Sequence, residues 1–198
     1  HLEGLRGSIE EMKKRPLDGP EAVALGQLGQ KLDSRIAQLR NEARVLEENF
    51  LSHITQGLED ASSPQDAAAL RSRIAEHLAE LSHAGKFPDL TAEQKADFTA
   101  RLRDLDQQCY VREFSLDVDR AMSTKLDMPS LQECYERFQQ AAPSMDSDRR
   151  EQVEALFTEA SASSLQTLLG RLDAMKAGLA SAGSESEVRE LPVDAVFD

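Results

Sequence analysis

The sequence predicts an all-α protein: an elongated antiparallel bundle of five to six helices organised around a long helix at residues 21–60. Three observations predict this fold. Ala, Leu, Glu, Gln, Arg and Asp dominate a chain of 198 residues with only 10 Gly and 7 Pro, which is the composition of long helices. Apolar side chains recur at helical spacing along most of the chain. Proline and glycine cluster in short stretches between these periodic segments, where one helix ends before the next begins.

The long helix carries the clearest pattern. Its apolar positions repeat at a mean spacing of about 3.67 residues, a helix period and not a strand period. They are Leu25, Leu28, Leu32, Ile36, Leu39, Ala43, Leu46, Phe50, Ile54 and Leu58. Such a helix extends roughly 60 Å, so other helices have to cover its stripe. Because the spacing is not a strict seven-residue repeat, we favour a bundle over the alternative, a parallel dimerisation coil.

A short amphipathic helix at residues 2–15 precedes the long helix. Capping residues predict the starts of two helices that follow it. Ser63 followed by proline predicts a helix that a short link folds back along the distal half of the long one. Thr91 and Gln94 form a capping box that opens the next helix. Its apolar stripe shifts near Tyr110, which leaves a wide apolar face, a kink or a break as alternatives, and the alternation at residues 114–119 would also suit a strand.

Two helices complete the prediction. Ser130 and Glu133 read as a capping box for a short helix that Pro143 ends. The last helix carries an inward stripe of Val153, Leu156, Phe157, Ala160, Ser164, Leu165, Leu168, Leu172, Met175 and Leu179. Small residues around Ser161 and Gly170 predict packing there that is either close or weak. We expect residues 1–180 to form the bundle, with a subdivision near 127, and residues 181–198 to form an acidic flexible tail.

Charge and cysteine content restrict the classes of function. The net charge is −13, which argues against a protein whose main task is to hold phosphate backbones. Basic groups such as Arg71 with Arg73, and Arg101 with Arg103, alternate with acids and read as solvated helix faces. Cys109 and Cys134 lack a metal-ligand pattern, so we expect buried free thiols and a cytoplasmic location. We also expect no membrane span.

No motif predicts catalysis or a cofactor. Glu80 and His83 have the Glu-x-x-His spacing of di-iron bundles, but no second copy exists in the chain. His77, with glutamates on either side, reads as solvated surface. Phosphate-cradling glycine loops and nucleophile motifs are also missing from the sequence. We therefore expect no enzyme activity, no metal and no cofactor.

The tail supplies the one candidate linear motif. Acidic residues separate apolar ones there, a pattern typical of segments that fold on docking to a partner. The expected partner-binding residues are Leu191, Val193, Val196 and Phe197. The alternative is that this stretch continues into, and packs within, a longer polypeptide.

These observations favour a non-catalytic helical scaffold or protein-interaction module. Its partner would be another protein or the remainder of a larger polypeptide, of which this chain, beginning at His1, would be a fragment. We do not expect direct contact with nucleic acid. Two alternatives remain open: a strut in a nucleic-acid-processing machine, and a ligand-sensing domain with a closed pocket between its helices.

Overall fold

The chain forms an all-α helical bundle. The computed structural model describes residues 2–16, 18–83, 85–125 and 128–181. Within those ranges it contains six α-helices, one 3-10 turn at Ala142–Ser144 and no strand. The helices are α1 (Leu2–Lys13), α2 (Gly19–Asp60), α3 (Pro64–Ser82), α4 (Ala92–Lys125), α5 (Met128–Ala141) and α6 (Ser147–Ser181). The predicted fold class is confirmed, and so is the long uninterrupted helix expected at 21–60.

The predicted caps of α3 and α4 form as reciprocal hydrogen bonds. The backbone N–H of Asp66 donates to Ser63 Oγ at 3.2 Å, and the N–H of Ser63 donates to Asp66 Oδ2 at 2.9 Å. At α4, the N–H groups of Thr91 and Gln94 donate to each other's side-chain oxygens at 2.9 and 3.1 Å. These bonds satisfy backbone donors that a helix start leaves without partners.

The predicted cap of α5 is wrong. The helix begins at Met128, so Ser130 lies inside its first turn instead of preceding it. Pro129 explains the shift, because proline is well accommodated in a first turn where its missing N–H costs nothing.

The chain divides into two compact units. Unit 1 comprises His1–Gln56 and Arg73–Asp104, and unit 2 comprises Gly57–Ser72 and Leu105–Asp198. The helices α2, α3 and α4 therefore each contribute residues to both units. The chain divides after residues 56, 72 and 104. The sequence suggests a subdivision near 127, and that subdivision stays a prediction.

In unit 1, α1 and α3 both lie antiparallel to α2. Arg40 of α2 donates to Glu3 at the start of α1, and Arg6 pairs with Asp33 at 3.0 Å. Farther along α1, the buried Ile9 lies beside Gly29. The core consists of aliphatic side chains and one phenylalanine: Ile9, Ile36, Leu51, Ile54, Ile74, Leu81, Leu90, Phe98 and Leu102.

Two residues on the predicted α2 stripe are not covered. Leu46 is 68% exposed and Leu28 is 52% exposed, whereas Leu51 and Glu47 are buried. The prediction was wrong here because it followed the apolar residues. The covered face passes instead from Ala43 to Glu47 and Leu51, in steps of four residues that equally fit a helix.

In unit 2, α4 is the enclosed helix. No residue from Leu105 to Val118 is classed as exposed, so every side of this part of α4 is at least partly covered. The wide-face alternative is therefore the observed one, and the helix continues unbroken through Tyr110 and residues 114–119. The unit's main core cluster is Phe114, Val118, Ala121, Leu131, Cys134, Phe138, Met145, Val153 and Ala160.

Candidate functional site

The first half of α6 packs into the core of unit 2. Val153 and Ser164 are fully buried, and Ala160 is nearly so. Ser164 Oγ donates to the sulfur of Met122 at 3.0 Å, so the serine-rich stretch packs closely at this point. Ser161 Oγ is also buried, and among the described residues no partner accepts from it.

The second half of α6 is uncovered. None of residues 165–181 is buried, although the apolar pattern continues without interruption. Leu165 is 59%, Leu169 54%, Leu172 43% and Leu179 45% exposed. Gly170 has open space around the position a Cβ would occupy. We call Leu165, Leu168, Leu169, Leu172, Met175 and Leu179 the distal α6 face. Leu168 and Met175 are half-buried and the other four are exposed, so the expected inward stripe is wrong at those four positions. Around Gly170 the observed alternative is weak packing.

The end of α4 explains this change. The N–H of Asp146 donates to Gln107 Oε1 at 3.1 Å, and eighteen residues later Ser164 contacts Met122. The two helices therefore run parallel. Because α4 ends at Lys125, three residues after Met122, it cannot cover the part of α6 that continues to Ser181. The distal α6 face is uncovered because this neighbour stops, and its composition differs little from that of the buried half.

The sequence places the expected partner-binding residues in the tail. Leu191, Val193, Val196 and Phe197 lie outside the described residues. The partner-binding role proposed for them stays a prediction.

A second candidate is a polar cleft in unit 2 of about 380 Å³. Two arginines face it, and each is already held by carboxylates. Arg71 pairs with Glu113 at 3.0 Å and Asp106 at 3.3 Å, and its guanidinium lies 4.6 Å from the ring centre of Tyr110. Arg137 pairs with Asp117 at 2.5 Å. A charged ligand would have to displace one of these side chains from its partner.

The ion pairs of the cleft stabilise the charged forms of its two arginines. Burial acts to lower the pKa of Arg71, but the hydrogen bonds and charges of Glu113 and Asp106 outweigh it and raise the pKa. The hydrogen bond to Asp117 raises the pKa of Arg137. Burial raises the pKa of the nearby Cys109 thiol to about 11, so the thiol is protonated at neutral pH and is a poor nucleophile.

A buried charged residue in unit 1 was missed by the sequence analysis. Glu47 is 3% exposed, and its Oε2 lies 2.7 Å from His77 Nε2. The His77 ring stacks on Phe50 with ring centres 4.0 Å apart and meets Phe87 edge-on. The solvated-surface interpretation of His77 is wrong. The available signal was that Glu47 lies four residues after Ala43, and His77 three after Ile74, so both fall on covered helix faces.

Two of the basic groups noted in the sequence are also partly neutralised. Arg101 donates to both carboxylate oxygens of Glu48 at 2.8 Å, and Arg71 is held as described above. The hydrogen bond from Arg101 lowers the pKa of Glu48. Phosphates would have to compete with these carboxylates for the same guanidinium groups.

Neither a metal site nor a membrane span is present in the part of the chain that the structure describes. In the described ranges, no three His, Cys, Asp or Glu side chains are grouped so that they could hold a metal ion. None of the helices the structure describes has the length and hydropathy needed to cross a membrane. Comparison with family models, curated proteins and solved structures finds no match for this chain.

Proposed function

We propose that this chain is a non-catalytic protein-docking module and that the distal α6 face is its binding surface. One observation carries the proposal: an apolar stripe that is core in the first half of α6 continues through the second half, where none of its residues is buried and four of six are exposed. The occupant would be another protein or another part of a longer polypeptide.

The energetics of the uncovered face support docking. Removing a leucine side chain from water contributes roughly 1.5–3 kcal/mol, and contiguous exposed apolar patches are rare on proteins that act alone. A helical segment of this length is also only marginally stable without packing. A partner that covered the face would both bury the leucines and stabilise the helix.

The polar groups of the described residues support a role without chemistry. The carboxylates and arginines of the cleft satisfy one another, and the pKa of Cys109 is raised. The pairing of Arg71 and Arg101 with acids supports a module that does not contact nucleic acid directly. Both cysteines are free and buried, which supports a reducing compartment such as the cytoplasm.

A quantitative pull-down from source-cell lysate tests the proposal. Three chains are compared: the native chain, Leu172→Glu in the distal α6 face, and Gln166→Glu, which adds the same charge at an exposed position beside the stripe. We expect Leu172→Glu to reduce recovery of the partner at least tenfold and Gln166→Glu to leave it unchanged. Circular dichroism checks that both variants keep their helix content.

A chain lacking residues 182–198 completes the design. If this deletion removes the partner while Leu172→Glu retains it, docking occurs through the tail and the proposal for the distal α6 face is wrong. Equal recovery with Leu172→Glu and the native chain would also contradict it.

A further inference from the structure

We draw no further inference here: the strongest candidate, the apolar surface patch formed by the distal α6 face, already carries the proposed function, and nothing among the residues that the structure describes shows what covers it.

Discussion

The helices α2 and α6 differ in which residues they bury: α2 buries a charged residue, whereas α6 exposes apolar ones. They are 42 and 35 residues long. On α2, Glu47 is buried and pairs with His77 of α3, whereas on α6 four of the five leucines beyond Ser164 are exposed. The difference teaches that coverage in this chain depends on how far the neighbouring helices extend. Residue polarity alone does not decide which positions are buried.

The sharpest way to test the comparison is to place the same charge in each half of α6. Val153→Glu puts a carboxylate at a fully buried position without a partner and should lower the free energy of unfolding by about 3–5 kcal/mol. Leu172→Glu should change it by less than about 0.5 kcal/mol, because that position is exposed. Urea denaturation followed by circular dichroism measures both. Equal losses would mean that the distal α6 face is covered in solution.

The covered charge on α2 should be nearly as sensitive. His77→Ala leaves Glu47 buried without its partner and removes the ring stacked on Phe50, so we expect a loss of about 3 kcal/mol. The double variant Glu47→Leu with His77→Phe should recover most of this stability, since it removes the buried charge as well. Denaturant midpoints and slopes measure both effects. His53→Ala, at an exposed position of α2, is the control and should have almost no effect.

Burial of the thiol in unit 2 predicts a dependence on alkaline pH. Burial raises the pKa of Cys109 to about 11 in the folded chain, whereas an unfolded cysteine has a pKa of about 8.5. The unfolded state therefore loses its proton first, so stability is fully present below pH 8.5 and falls as pH rises towards 11. The expected loss at pH 10 is about 2 kcal/mol. Cys109→Ala should remove this component of the slope; an unchanged slope would contradict burial of the thiol.

The smallest expected effect concerns the outer side of α6. Gly170 lies inside the helix with open space where a Cβ would be, so Gly170→Ala should raise stability by about 0.5–1 kcal/mol through helix propensity. It lies away from the distal α6 face, so recovery of the partner in the pull-down should not change. Thermal unfolding and the pull-down measure the two quantities. Ala174→Gly, the reverse change at another exposed position, should lower stability by a similar amount.

Local features of this fold could be predicted from the sequence, because the interacting residues are close together in the chain. The capping boxes at Ser63 and Thr91 each join residues three positions apart. The pairing of Glu47 with His77 joins residues thirty positions apart. Neither residue alone differs from a solvated one, so sequence periodicity favoured the wrong face of α2 at Leu46.

The candidate site lay beyond sequence reasoning for a related physical reason. Leu156 and Leu172 belong to the same continuous stripe. The helix α4 ends at Lys125, and no local pattern shows which half of α6 lies beside it. The apolar spacing from Leu165 was readable in the sequence. Its meaning depended on knowing that nothing among the described residues covers it.

The division of the chain into units has a practical consequence for truncation. The polypeptide passes from one unit to the other three times, after Gln56, Ser72 and Asp104. No single cut can therefore release an intact unit 2, since its hairpin at 57–72 precedes the last segment of unit 1. A protein ending at Asp104 would retain all of unit 1 but lack the helices of unit 2. The buried residues Ala61, Ala67 and Leu70 of the hairpin would then lose the rest of their unit. Such a truncated protein should be prone to aggregation, and during synthesis on the ribosome the same hairpin has to wait for the C-terminal helices to emerge.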